Sequence, residues 1–331
     1  MKVVGIGGGT GLPVLLSGLK RLRQSGECDI RITAVVAVSD SGGSTGNLRA
    51  ALGIPAMGDL RNCFIALAGS PLPVLKAVCR HRFHGIEGLS GHSMGNLILS
   101  ALYQMAGDFD GMVRLANHLF QLKDRVLPGT SVPVTLCADF FDGSIVRGES
   151  AIPLKRMPIR RVWLDPERPL PAPGVLDAIA EADAIVFGPG SLYTSVIPSL
   201  LVAGVADAIH ASSAVKIHVC NLMTQAGETG TYTAADHLRA LTQYLPSGAV
   251  DVCVVNTRSA GPLLQKRYSQ SGAQFVTASD DEIRRLGAVP QRADLLQENN
   301  TKIRHDGLAL ARLVVALGSR RREWEVLCAE S

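Results

Sequence analysis

The chain has 331 residues, 47% of them hydrophobic and 19% charged, which suits one large α/β domain or two closely fused ones. A net charge of +4 on this length gives no nucleic-acid stripe; the densest basic run, Arg320-Arg321-Arg322, reads as a solvated helix end. No basic leader with an apolar core and no bilayer-length apolar run is present, so a cytoplasmic protein without a membrane span is expected. The seven cysteines are scattered and never form a C-x-x-C pair, so they read as small core residues in a reducing compartment.

Taken in chain order, "VVGIG" is a β-branched strand that breaks into Gly7-Gly8-Gly9-Thr10-Gly11 and then into the amphipathic helix "LPVLLSGLKRLRQ". A strand-to-helix turn this rich in glycine opens backbone amides to a ligand at the positive end of a helix, which suits a phosphate. The third glycine of a dinucleotide fingerprint is replaced by Thr10 or Leu12, and no Gly-Lys-Ser/Thr follows, so neither the dinucleotide nor the Walker A motif fits. The run is similar to a tubulin-like GTP loop, but here it follows the first strand directly. The phosphate reading stands; the ligand's identity stays open. "RITAVVAV" is a second buried strand, closed by "VSDSGGSTGNLR". There Asp40 is placed to bond ribose hydroxyls, or to cap a helix or make an Asx turn, and Gly42 and Gly43 add free amides.

Next, "PAMGDLRN" gathers Asp59, Arg61 and Asn62 before an apolar helix. Arg61 there is either an anion clamp or half of an Asp-Arg pair capping that helix. A mostly helical insertion is expected over about 69–127. Within it "GHSMG" spells the nucleophile elbow with Ser93 as nucleophile, but no strand precedes it. Ser93 is therefore expected as the N-cap of "MGNLILSALYQMA", beside Asn96, with His92 facing the cleft as the best protonation candidate. His118 and His237 read as surface helix residues. A hairpin around "FDGSIVRGES" leads to a proline-rich connection over about 151–175.

"ADAIVFG", "VKIHVCN" and "DVCVVN" are further central strands, separated by helices "SLLVAGVADAIHAS" and "AADHLRALTQYL", and "LARLVVALGSRRREW" is a docking C-terminal helix. The pattern is a Rossmann-like, doubly wound, mainly parallel sheet. Its polar loops, including "FGPGSLYTS" with Gly188, Gly190 and Ser191, "CNLMTQAGETGTY" with Asn221, and "VVNTRSAG", all follow strand C-termini. Ligands of such sheets collect on that edge.

The segments "GIGGGTGLPVLLSGLK", "VSDSGGSTGNLR", "PAMGDLRNC", "GLSGHSMGNLIL", "GPGSLYTSVIPSLLV" and "VCNLMTQAGETGTYTAADHL" occur in order. Together they closely resemble the YvcK-like family, the gluconeogenesis factors, related to the CofD 2-phospho-L-lactate transferases of coenzyme F420 biosynthesis. The resemblance covers nearly the whole chain. It implies one domain over 1–331, a UDP-N-acetylglucosamine ligand in place of NAD or GTP, and a role in cell shape and cell-wall precursor supply during gluconeogenic growth. It implies no settled catalytic activity. It also carries a site tyrosine and arginine onto Tyr268 and onto Arg304 of "IRHDG". "SDSGGSTG" stands where the transferases have an acidic metal-binding pattern. The leading expectation is thus a nucleotide-sugar-binding factor, working as a homo-oligomer such as a dimer and read by a regulatory protein partner. The alternative is a metal-assisted transferase in which Asp40 or Asp59 holds Mg²⁺ and His92 handles a proton.

Overall fold

The computed structural model describes residues 1–69, 73–298 and 302–329, with side chains as far as Ser319 apart from Glu298. The first half runs β1 (Lys2–Gly7), α1 (Leu12–Gln24), β2 (Arg31–Val36), α2 (Gly43–Leu52), α3 (Gly58–Leu67), α4 (Pro73–Arg80), α5 (Met94–Ala106), α6 (Phe109–Leu119) and β3 (Arg125–Pro128). A hairpin and a third strand follow as β4 (Thr135–Phe140), β5 (Ile145–Arg147) and β6 (Ile159–Asp165). The second half runs α7 (Val175–Ala180), β7 (Ala184–Phe187), α8 (Ile197–Leu200), α9 (Val205–Ala211), β8 (Val215–Val219), α10 (Ala234–Thr242), β9 (Val252–Asn256), α11 (Pro262–Gln270), α12 (Asp280–Arg285) and β10 (Val289–Ala293). The chain ends with β11 (Leu296–Glu298), β12 (Ile303–His305) and α13 (Gly307–Ala329).

The main sheet has the order β10-β9-β8-β7-β1-β2-β3, and every pairing in it is parallel. From β1 the chain winds outward through β2 to β3; from β7 it winds the other way through β8 and β9 to β10. The reversal falls between β1 and β7, where ligands of this architecture bind beyond the strand C-termini. The central strands are buried along their length, as a sheet covered on both faces requires.

Local sequence explains how α1 is seated. Pro13 starts it, and Leu12, Leu15, Leu16, Leu19 and Leu22 form its buried stripe. The start of α13 crosses it so closely that a Cβ on Gly18 would collide with the Gly307 carbonyl. Helices α4 to α6 come between α3 and β3 in the chain, and Phe64 of α3 stacks on Phe120 at the end of α6 with ring centroids 5.5 Å apart. The antiparallel sheet β5-β4-β6 adds Leu136, Ala138, Phe140, Val162 and Leu164 to the same core.

Three sequence expectations change. The proline-rich stretch 151–175 holds β6, paired along β4. "SLLVAGVADAIHAS" does not form one helix: a π-helical turn over Leu192–Val196 enters α8, and Gly204, at φ +76°, separates it from α9. His237 is buried, with Nδ1 2.9 Å from the Thr233 carbonyl and its ring edge-on to Tyr232. The side chains of Arg320, Arg321 and Arg322 lie outside the described residues.

Candidate functional site

The two glycine loops interlock at the sheet reversal. The register sets Ile6 opposite Phe187, and Gly7 and Gly188 follow side by side, with the Gly188 Cα 3.7 Å from where a Cβ on Gly7 would lie. A Cβ on Gly11 would collide with the Pro189 carbonyl oxygen, and one on Gly190 would lie 3.5 Å from the Gly8 carbonyl. Glycine is needed at Gly11, where the neighbouring backbone occupies the space a side chain would take, while Gly7 and Gly190 pack against the other loop at ordinary contact distance. Gly9, at φ +63°, makes the left-handed turn of the first loop. Asn62 Nδ2 donates to the Gly9 carbonyl at 3.1 Å, fixing the loop from α3.

Next to this junction is a cavity of about 230 Å³, lined by Gly9, Thr10, Gly11, Gly190, Ser191, Asn221, Gln225, Tyr268, Arg304 and His305 among others. It therefore brings together loop residues from β1, β7 and β8 with Tyr268 of α11 and Arg304 of β12. The amides of Thr10, Gly11, Gly190 and Ser191 donate to no protein acceptor among the described residues. Among the described residues no carboxylate lines the cavity. Unspent backbone donors at the head of a thirteen-residue helix, beside an arginine, form a site for an anion.

The cavity's far wall is held by side chains. Tyr268 accepts the Ile303 amide through its hydroxyl at 3.0 Å, and it packs on Leu222, Ala260, Leu296 and Ile303. Gln225, which sequence reasoning passed over, donates to Ser191 Oγ at 2.7 Å and accepts from Asn221 Nδ2 at 3.3 Å. His305 was also missed. It is buried, one ring nitrogen bonds the Cys220 backbone, and Nε2 has no partner. Burial pulls its pKa down to about 4, so the ring meets the cavity uncharged. Its position directly after Arg304 was the available signal.

The remaining sequence candidates form a second group outside this cavity, behind the crest that the β1 and β7 loops make, and none of them but Asn62 lines a described cavity. Asp40 Oδ1 accepts the Gly42 amide at 2.8 Å, which is the Asx-turn alternative, and Gly43 opens α2 on the exposed side of that turn. Arg61 donates to Ser93 Oγ at 2.5 Å, Asn96 Oδ1 at 2.9 Å and Asn62 Oδ1 at 2.9 Å. Arg61 makes no ion pair within reach, so the Asp-Arg pairing considered from sequence does not form among the described residues. Ser93 caps α5 as expected, accepting the Asn96 amide, while His92 Nδ1 lies 3.1 Å from Ser44 Oγ. The elbow reading of "GHSMG" fails on its missing strand, since Ser93 has only an isolated bridge to Arg82 before it.

Three carboxyl groups near the loops are pushed toward neutrality. Burial raises Asp59 to about 6, opposed by the Gly9 amide that bonds it and reinforced by the charge of Asp40. Burial raises Glu149 to about 8, with Asp40, Asp59 and Glu228 adding to the shift. Burial raises Glu228 to about 7 against bonds from the Thr194 hydroxyl and the Tyr193 and Thr194 amides. Among the described residues no three His, Cys, Asp or Glu side chains converge as a metal cage. Asp40 and Asp59 each accept a backbone amide, from Gly42 and Gly9 respectively.

Among the described residues no single helix is long and apolar enough to cross a membrane. The family model described as 2-phospho-L-lactate transferase CofD matches residues 3–296. The gluconeogenesis factor of Bacillus subtilis is 41% identical over 316 residues, 96% of this chain and 98% of that protein. That of Halalkalibacterium halodurans is 41% identical over 308 residues, 91% of this chain and 94% of its own length. A crystal structure of a Bacillus halodurans protein superposes with a TM-score of 0.89 at 40% identity, covering 95% of this chain and 98% of that one. With profile, sequence and fold agreeing over almost all of its length, the chain belongs to the CofD family and stands among its gluconeogenesis factors.

Proposed function

We propose that this protein is a nucleotide-sugar-binding factor whose ligand, of the UDP-N-acetylglucosamine kind, sits at the junction of the β1 and β7 loops and supports cell-wall precursor supply and cell shape during gluconeogenic growth. The observation that carries the reading is the set of four amides, Thr10, Gly11, Gly190 and Ser191, unspent among the described residues, around a cavity that no described carboxylate lines and that Tyr268 and Arg304 close. The amides take the diphosphate, the Arg304 guanidinium pairs with it from the opposite wall, and the tyrosine ring offers a face to the uracil or sugar. Calorimetry with UDP-N-acetylglucosamine tests this: micromolar affinity is expected with the ligand recovered intact, and no binding overturns it.

A transferase reading takes its support from the family description and from Asp59, whose raised pKa of about 6 suits a proton acceptor near neutrality. It separates from the first reading by ³¹P NMR of the ligand after incubation with protein and Mg²⁺. New phosphorus resonances favour the transferase; an unchanged spectrum favours the binding factor.

A further inference from the structure

A larger hollow, of about 500 Å³, lies on the outer side of α1, and three arginines converge on it from separate elements: Arg21 from the last turn of α1, Arg80 from the end of α4 and Arg304 from β12. None of the three has a carboxylate partner among the described residues, and no described acidic side chain lines the hollow. Other arginines of this protein are ion-paired: Arg23 with Asp124, Arg292 with Asp280 and Arg312 with Glu27. A cation at a helix C-terminus is favoured by the helix dipole, which accounts for Arg21 and Arg80 one at a time. It does not account for three guanidinium groups lining one concavity that no described carboxylate shares, an arrangement that favours an anion. Ser17 and Asn62 add neutral polar groups to the lining.

We propose that this hollow is a second anion site, taking a small, multiply charged molecule of the polyphosphate or tricarboxylate kind. Its volume is that of a small-molecule pocket, and planar guanidinium forks match either anion bidentately. Thr10 and Arg304 also line the neighbouring cavity, so the two sites share a cation. An anion in the hollow draws the Arg304 guanidinium toward Arg21 and Arg80 and brings a second negative charge close to the crest. Occupancy of one site therefore weakens the other, and the effect is reciprocal. This proposal goes beyond the sugar-nucleotide reading and stands on Arg21 and Arg80, which are remote from that cavity's lining.

Calorimetry on the full chain, with tripolyphosphate in one arm and citrate in the other, tests it. At least one probe is expected to bind, and Arg21→Gln and Arg80→Gln each weaken it about tenfold. In the same variants the affinity for UDP-N-acetylglucosamine measured without polyanion stays unchanged, and the penalty that the bound probe imposes on it in the wild type disappears. The arm that responds tells phosphate from carboxylate. If neither probe binds at millimolar concentration, or if binding is as tight in the Arg21→Gln/Arg80→Gln double variant as in the wild type, the proposal is overturned.

Discussion

The crest between β1 and β7 and the cluster around Arg61 contain similar residues: glycines, amides, hydroxyls and a guanidinium. They differ in where the hydrogen bonds go. At the cluster, Arg61 is used up by Ser93, Asn96 and Asn62, and Asn96 Nδ2 reaches Ser44 Oγ at 3.1 Å and Thr45 Oγ1 at 3.3 Å. At the crest, four amides and Arg304 have no protein partner among the described residues. Polar groups that satisfy one another build a scaffold, whereas polar groups left open beside a cavity await a ligand. The comparison assigns Arg61 to holding α3 against α5, with the loop carried on α3 through Asn62 and Gly9, and assigns Arg304 to contact with the bound molecule.

The largest effect is expected at the crest's backbone junction. Gly11→Val drives a side chain into the Pro189 carbonyl and should lower unfolding stability by about 3 kcal/mol or more in urea titrations; a stable variant would mean that the loops are not interlocked. Arg61→Ala strands the buried Ser93 and Asn96 and should cost about 2 to 3 kcal/mol of stability, while its affinity for UDP-N-acetylglucosamine, measured on the folded fraction, changes less than for Arg304→Ala. The reverse ranking would collapse the distinction between scaffold and contact.

Next in size is a pH effect. Glu228 has a folded pKa of about 7, above its ordinary value near 4.5, so the folded state holds its proton longer than the unfolded chain does. The stability this gives is complete below about pH 4.5 and is lost as pH rises toward 7. Glu228→Gln should therefore flatten the alkaline side of the stability profile, by on the order of 2 kcal/mol at pH 8. The buried His218, lowered to about 3, works in the opposite sense: it favours the folded state above its ordinary pKa of 6.5, and that contribution is lost as pH falls below it. The smallest effect is Arg304→Ala, which removes an exposed side chain and should leave the melting temperature unchanged while weakening ligand binding about tenfold.

Much of this arrangement was legible in the sequence because the central strands are β-branched runs buried on both faces and each is followed by glycine and small polar residues. The interlocking of Gly7–Gly11 with Gly188–Gly190 follows from β1 and β7 being neighbours, which the order of strands in the chain alone does not fix. The edge elements were harder to see. β10 carries Pro290, β3 ends on Pro128, and β6 is embedded among prolines, compositions that favour edges and turns over strands. His237 was misplaced because α10 is buried on most of its circumference, so one polar letter in its pattern does not mark a solvent face. Gln225 and His305 were overlooked because their roles depend on long-range packing, which brings the β8 loop and β12 to one cavity.

Amide chemical shifts during titration with UDP-N-acetylglucosamine test the central claim most directly. The account predicts that the largest changes fall on the Thr10, Gly11, Gly190 and Ser191 amides, as each acquires a phosphate acceptor. If those four amides stay still while the signals around Arg61, Ser93 and Asn96 move, the ligand binds behind the crest and the account is wrong.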